Sequence, residues 1–498
     1  MNPSPFSRCV FLSAFLPLLS AAATKNRSFQ QHDIVTEKEL LVTALDVVNA
    51  PEASYPGAWS FGHLMDQAFG ADKSRQAVAS WLDTWSKGMK TAADGVIAVP
   101  GREELESRLI VPWKERDGYR PGSGEPWLPD FSHAPFRLLA IVNRLDLGKP
   151  ADFFSLPPGT NGQTAPASYY SGIPGINSDA GEARLVFALV GPDGTSPEGG
   201  MTIIFEYGLD ATRRERTYDW AMAWHRLGSH AAFDADYRSD LVQLTRLFTD
   251  RRPKAVPTTT PPAERKTEVM ERLAAEAAGD TFQLLRVRIN DGACGKLREF
   301  REFNLSKEAL VPTPLAGSPD ESFFTKGSPP NRWLSRWIAD QVSTPPSTGT
   351  ERMPPEEIIP ASFSLPTFFN DGAKPVPVTA IVATVPDNDA AFHWDGWGMR
   401  DSALRRAFSM QTCCGCHCGD TSTRFFHIEP RPENAEAGLS KFLRTDGSRW
   451  RPKDPADRGG FLSSEMEDRK QLYHKLLNPD LSLREIHRIR GSRQGRVH

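Results

Sequence analysis

Four cysteines and a histidine are crowded into one short segment of this 498-residue chain, in the string QTCCGCHCGD. Within that string, Cys413, Cys416 and His417 satisfy the pattern C-x-x-C-H. Two thiols at this spacing can add to the two vinyl groups of a haem, and the imidazole that follows them can ligate the iron. The spacing therefore predicts a covalently attached haem c that is held by these three residues.

The motif does not fix the sixth ligand of the iron. Met466 lies at a suitable distance downstream, in a stretch predicted to be helical, and His427 lies closer, in an extended stretch. His474 and Met399 are further candidates. A methionine ligand would raise the reduction potential and favour electron transfer. An empty sixth position would instead permit ligand binding or peroxide chemistry, so whether the protein is an enzyme stays open.

The same cysteines allow two other interpretations. Disulfides are common in exported proteins, so the cluster could be a disulfide staple with Cys294 as its long-range partner. Alternatively, the C-x-x-C pair could be half of a zinc site that is completed by His417, Cys418 or His427. An oxidising compartment works against free thiolates, which places zinc behind the other two interpretations.

The N-terminus has the form of a secretory signal peptide. Arg8 precedes an apolar run from Cys9 to Leu19, and small residues follow at Ala21 to Ala23. We expect cleavage after residue 23 and a mature protein that is periplasmic or secreted. No later segment approaches 18 uninterrupted apolar residues, so we expect no stable membrane insertion once the signal is removed. Haem attachment through C-x-x-C-H takes place after export, so the signal and the motif support each other.

Composition bounds the class of protein. The chain has 59 Lys and Arg against 62 Asp and Glu, a formal charge of −3, which argues against a nucleic-acid-binding role. Apolar residues make up 39%, with 28 Phe and 12 Trp, so a largely disordered chain is excluded.

Hydrophobic patterning predicts an α+β fold with a mixed or antiparallel sheet and packed helices. Apolar runs at 136–147, 182–190 and 201–207 indicate strands that are buried on both faces, whereas alternation at 282–289 and 296–304 indicates a half-exposed antiparallel sheet. Helices are predicted through most of 36–115 and at 218–248, 263–278, 401–410 and 464–477. We expect a signal peptide at 1–23, an α+β domain at 24–345, a Pro-rich linker at 346–363, and a smaller, mostly helical domain at 364–498 that carries the cysteines.

Charged residues interrupt the predicted strands. Arg144, Asp146, Glu182, Arg184 and Glu206 could line a pocket. We expect them instead to form ion pairs at strand ends, because buried charges are normally paired.

Two resemblances add to this reading. The segment from Ala403 to His417 resembles c-type cytochrome domains, although Cys414 inside the x-x pair and Cys418 directly after the histidine depart from the usual pattern. The stretches FRLLAIVNRLDL, GEARLVFAL, IIFEY, LREFREF and FSMQTCCGCHCGDTSTRFFHIEPR are similar to those of a family of uncharacterised exported bacterial proteins. The first resemblance implies covalent haem on the C-x-x-C-H motif. The second implies a shared architecture and no particular activity.

We therefore expect an exported haem protein that transfers electrons to an unknown redox partner or senses redox state. The alternative is an exported interaction or envelope protein whose cysteine cluster is a disulfide staple or a zinc site.

Overall fold

The structure is a computed structural model, and it describes only part of the chain. The described residues are 29–89, 98–122, 124–145, 179–210, 214–251, 267–276, 284–294, 297–306, 309–315, 317–341, 365–366, 368–370, 375–385, 394–398, 402–410, 412–417, 421, 423, 425–446 and 465–478. The predicted signal peptide, the predicted linker at 346–363, and the residues Asp146, Met399 and Cys418 lie outside these ranges.

Twelve α-helices and ten strands are formed by the described residues. The helices are α1 (Thr36–Glu39), α2 (Leu45–Val48), α3 (Phe61–Phe69), α4 (Ser74–Lys87), α5 (Val111–Arg116), α6 (Arg214–Leu227), α7 (Ala235–Thr249), α8 (Thr267–Glu276), α9 (Pro329–Gln341), α10 (Ser402–Ser409), α11 (Cys413–Cys416) and α12 (Glu465–Leu477). The strands are β1 (Leu41–Val42), β2 (Phe136–Leu145), β3 (Asp179–Leu189), β4 (Met201–Asp210), β5 (Leu284–Asp291), β6 (Arg298–Leu305), β7 (Leu310–Thr313), β8 (Phe368–Asn370), β9 (Pro375–Pro377) and β10 (Ala383–Val385).

An eight-stranded sheet organises the described residues. Its strands run in the order β1-β2-β3-β4-β5-β6-β10, with β7 also paired to β6, and every pairing is antiparallel. The helices pack around this sheet, which confirms the predicted α+β class. Strands β8 and β9 form a separate two-stranded sheet.

One face of the sheet carries an aromatic core. Phe205 of β4 lies 5.9 Å, between ring centroids, from Phe61 of α3. Phe303 of β6 lies 5.6 Å from Trp81 of α4. Because side chains alternate between faces along a strand, the residues next to these aromatics point to the opposite face.

The opposite face carries charged side chains and is covered by residues from the C-terminal part of the chain. Phe300 of β6 packs on this face with its ring centroid 4.7 Å from that of His417. Strand β10 pairs with β6 and so extends the main sheet. The hydroxyl of Tyr473 in α12 donates a hydrogen bond to the carbonyl oxygen of Ala221 in α6. In the described residues, the segment after 364 thus packs directly on the sheet and its helices, while the division at 346–363 stays a prediction.

Two local expectations are corrected. The strands β5 and β6 were expected to be half-exposed, but every residue of β5 is buried, including Arg286 and Arg288. The alternation of apolar and charged residues is present, but the charged side chains pair with glutamates instead of facing solvent. The helix expected over 218–248 is two helices, because α6 ends at Leu227 and Asp234 caps a new helix by accepting a hydrogen bond from the backbone N–H of Tyr237.

No helix among the described residues combines the length and the apolar character that a bilayer crossing requires.

Candidate functional site

A cavity of about 80 Å³ lies between the charged face of the sheet and the cysteine segment. An apolar cavity of roughly 150 Å³ is large enough to hold benzene, so this one has room for a few waters or a small ligand. The charged side chains on its wall are Arg144, Arg184, Glu206, Arg288, Glu465 and Arg469.

Strand β4 forms the floor of the cavity. The side chains of this strand that face the cavity are Thr202, Ile204 and Glu206, which are polar, apolar and charged in that order. The register places Arg184 of β3 and Arg286 of β5 directly opposite Glu206 on either side. Cross-strand neighbours on one face are close enough to interact, so the sheet register itself builds an ion-pair ladder.

Three glutamates hold this ladder together. Glu206 contacts Nε of Arg286 at 2.6 Å and Nη2 of Arg184 at 2.9 Å. Glu182 contacts Nη2 of Arg184 at 2.7 Å and Nη1 of Arg144 at 3.4 Å. Glu302 of β6 completes the set.

The last part of the ladder links β5 to β6. Glu302 accepts a hydrogen bond at 3.2 Å from Nε of Arg288, and both side chains are less than a tenth exposed. The predicted ion pairs of Arg144, Glu182, Arg184 and Glu206 are confirmed. The pairs lie across the sheet and not at strand ends. All of these residues except Glu182 also line the cavity.

Burial and mutual contact set the charge states of the ladder. Burial alone would raise the pKa of Glu182, but the surrounding arginines outweigh it and hold that pKa well below its usual range. Burial, reinforced by the positive charge of Arg144, lowers the pKa of Arg184 to about 10. Glu182 and Arg184 are therefore charged at neutral pH. The ladder contains four arginines against three glutamates in the described part of the chain, which favours a negative ligand beside it.

Thr202 is a polar residue at the other end of the floor. It is 2% exposed, and its hydroxyl has no hydrogen-bond partner among the described residues. Asn290 lies opposite it on β5 and also lines the cavity. Buried hydroxyls are normally hydrogen-bonded, so an oxygen without a partner beside a cavity points to a ligand or a water.

The cysteine segment forms part of the opposite wall. Thr412 caps the short helix α11 by accepting a hydrogen bond at 3.0 Å from the backbone N–H of Gly415. A side chain at Gly415 would overlap Ser409, so glycine is required for this close approach. The backbone N–H of Cys413 donates to Oγ of Ser318 at 2.8 Å. These contacts anchor the segment over the sheet.

Two histidines, His417 of this segment and His427, lie in contact with each other. Nδ1 of His417 donates to the carbonyl oxygen of Phe425 at 2.6 Å, and the ring centroids of His417 and His427 lie 4.3 Å apart. Burial lowers the pKa of His417 to about 4. Burial, together with the neighbouring His417, lowers the pKa of His427 well below its usual value. Both imidazoles are neutral at pH 7.

The cysteines of the motif are not equivalent. The thiol of Cys413 lines the cavity, and burial raises its pKa to about 11. Cys416 is fully buried behind the wall, where its sulfur lies 3.7 Å from Nε2 of His427. Burial also raises the pKa of Cys414, whose thiol donates to the carbonyl oxygen of Thr384 at 3.3 Å.

The predicted haem ligands meet at one place, but the arrangement does not fit a haem. Cys413, His417, His427 and Met466 all line the same cavity. However, about 80 Å³ is far less than a tetrapyrrole occupies, and the two imidazoles are in contact with each other where a macrocycle would have to pass. Covalent haem therefore stays a prediction that this arrangement does not support.

The alternatives for the cysteines are also open. Among the described residues, no group of three or more His, Cys, Asp or Glu side chains is arranged to hold a metal ion. Cys294, Cys413 and Cys414 are free thiols. Cys418, which both alternatives could use, lies outside the described residues. His474 lies away from the cavity and bonds to the carbonyl oxygen of Phe29.

Several cavity residues were not identified from the sequence. Arg288, Glu465 and Arg469 are charged wall residues, and Thr202 is the hydroxyl at the far end. The charged positions of FQLLRVRI carried a usable signal, because a strand with arginine at every second position can build a buried ladder as well as a solvent face. Thr202 carried no sequence signal.

No family model, curated protein or solved structure matches this chain.

Proposed function

We propose that this protein binds a small anion in the cavity between the sheet and the cysteine segment. The single observation that carries the proposal is a buried cavity whose wall is rich in arginine and which contains a hydroxyl, Thr202, without a partner among the described residues.

The arginines supply the recognition chemistry. A guanidinium is a planar fork of donors that matches a carboxylate or phosphate, and it stays charged when it is buried. Arg184, Arg288 and Arg469 reach the cavity from two strands and a helix, so they surround a ligand from several directions. Because Arg184 and Arg288 are buried, an anion beside them gains more Coulomb energy than at the surface.

The reactive groups on the wall favour binding over covalent catalysis. Cys413 is the cysteine that lines the cavity, and its raised pKa of about 11 keeps the thiol protonated at neutral pH. The thiolate is the nucleophilic form of cysteine, so this side chain is a poor nucleophile as it stands.

Calorimetric titration of the full chain with phosphate, sulfate, acetate and butyrate, and with neutral butyramide as the matched control, tests the proposal. At least one anion should release heat and raise the melting temperature, while butyramide should do neither. Ligand at about 100 times its dissociation constant should stabilise the native state by about 2.7 kcal/mol. If none of the four anions binds, the proposal is wrong.

A pair of variants on α12 localises the site. Arg469 lines the cavity with 14% of its side chain exposed, and the next residue, Lys470, is not part of the wall. Arg469→Gln should weaken anion binding about tenfold, which corresponds to one lost charge-assisted contact. Lys470→Gln should leave binding unchanged, and equal weakening by both variants would place the anion elsewhere.

Electron transfer or redox sensing through haem, and a structural or interaction role in the cell envelope, remain hypotheses from the sequence. Export likewise remains a prediction, since residues 1–23 lie outside the described residues.

A further inference from the structure

We infer that the anion is a short, unbranched aliphatic carboxylate that carries a second hydrogen-bonding group at its far end. This inference rests on the proposed function and adds the class of ligand. The inference depends on the order of charged, apolar and hydroxyl side chains along the cavity floor.

The floor changes character along strand β4. Glu206 belongs to the ion-pair ladder, Ile204 follows two residues away, and Thr202 follows two residues further. At about 3.4 Å per residue, the charged and hydroxyl positions are roughly 13 Å apart along the strand. Ile204 lies between Val186 on β3 and Arg288 on β5, so the middle of the floor is apolar toward β3.

The C-terminal part of the chain adds apolar side chains to the cavity wall. Ile428, Phe442 and Met466 line the cavity and are buried. An inorganic oxyanion such as phosphate needs donors on all sides, and some of its oxygens would face hydrocarbon in this space. A carboxylate with an aliphatic chain presents charge at one end only. This suits a cavity in which the strand arginines lie from the Ile204 position toward Glu206, while Asn290 lies opposite Thr202.

The end of the cavity at Thr202 determines the second polar group of the ligand. Thr202 is 2% exposed with no partner for its hydroxyl among the described residues, and Asn290 lies beside it on the wall. An oxygen at the far end of the ligand would satisfy the Thr202 hydroxyl. The volume of about 80 Å³, roughly half of a cavity that holds benzene, limits the chain to about four carbons.

The charged end is the one nearest to solvent. Arg469 is partly exposed, whereas Thr202 and Asn290 at the other end are both buried. A ligand that enters there would lead with its far end and leave its carboxylate beside the arginines.

Calorimetric titration with butyrate, 4-hydroxybutyrate and phosphate tests the inference on the unmodified full chain. We expect 4-hydroxybutyrate to bind about tenfold more tightly than butyrate, and butyrate to bind more tightly than phosphate. If phosphate binds most tightly, or if the terminal hydroxyl gives no advantage, the inference is overturned while anion binding stands. If none of the three binds, the proposed function fails with it.

The variant Thr202→Val then tests whether the Thr202 hydroxyl binds the terminal hydroxyl of the ligand. Valine has nearly the shape of threonine without its hydroxyl, so the fold should be retained, and melting curves check this. The advantage of 4-hydroxybutyrate over butyrate should disappear, while the affinity for butyrate stays the same. Thr313→Val, on β7 away from the cavity wall, is the matched control and should keep the advantage. An advantage that survives in Thr202→Val would overturn the assignment.

Discussion

The sulfur of Cys416 lies 3.7 Å from Nε2 of His427, and both side chains are buried. On the other side of the ring, Nδ1 of His427 lies 2.9 Å from Oγ of Ser440. The imidazole is thus oriented by a thiol on one side and a hydroxyl on the other. In this arrangement, the second cysteine of C-x-x-C-H positions a histidine that lines the cavity.

This packing makes a prediction about haem that opposes the sequence motif. When the protein is produced together with the haem-attachment machinery, we expect no Soret band that persists after acid–acetone extraction, because the cavity of about 80 Å³ has no room for the macrocycle. Absorbance spectra and intact mass measure this. A persistent band that is lost in both Cys413→Ser and Cys416→Ser would restore the haem c hypothesis and show that the segment rearranges around the cofactor.

The buried histidines predict how stability depends on pH. The pKa of His417 is about 4 in the folded protein, against about 6.5 in an unfolded chain. Between these values the unfolded chain binds a proton that the native imidazole does not, so the free energy of unfolding should fall as the pH drops. His417 should contribute about 3 kcal/mol of this loss between pH 6.5 and pH 4, and nothing above pH 7.

Urea denaturation at several pH values checks this expectation. His417→Gln should flatten the dependence between pH 6.5 and pH 4, whereas His32→Gln should not, because the side chain of His32 is 81% exposed. The same slope in His417→Gln and in the wild type would show that His417 is not the responsible group.

The ion-pair ladder predicts unequal effects of removing single carboxylates. Glu206→Gln removes one of the two buried carboxylates that Arg184 and Arg286 share, the other being Glu182. The lost buried charge should lower the free energy of unfolding by about 3–5 kcal/mol. Glu433→Gln removes a contact of 3.7 Å from a side chain that is 68% exposed, and it should cost less than about 1 kcal/mol. Chemical denaturation measures both variants, and similar costs would contradict a buried ladder.

The thiols predict a labelling pattern. Cys413, with a pKa of about 11, and the buried Cys294 and Cys414 should resist iodoacetamide in the native protein, since the thiolate is the reactive form. All three should be labelled after denaturation without a reductant, as peptide mass mapping can show. An exposed thiol introduced by Ser132→Cys is the positive control. A cysteine that labels only after reduction would instead support the disulfide staple.

The fold was largely predictable because its patterns are local. Long apolar runs correctly indicated β2, β3 and β4, and helical spacing indicated α10 and α12 close to their observed bounds. The prediction that β5 is half-exposed was wrong. The sequence shows that Arg286 and Arg288 alternate with apolar residues, but it does not show which groups their side chains contact. A carboxylate from another strand keeps them buried, and only the register reveals it.

The site was predictable in part. His417, His427, Met466 and Cys413 were selected as iron ligands, and the structure brings all four to one cavity for which a haem is too large. Thr202 could not be found from the sequence, because a threonine in a strand is ordinary until its hydroxyl is seen to lack a partner. Arg469 is equally ordinary as one basic residue in a charged helix.

The contrast between the two faces of the sheet also restricts how the strands can assemble. Sliding β4 by one residue against its neighbours would turn Glu206 toward Phe61 and Trp113, and would turn Phe205 toward the arginines. Each shift by an odd number of residues would therefore leave a charge among aromatic rings. During folding, the arginines and glutamates thus disfavour every alignment that exchanges the two faces.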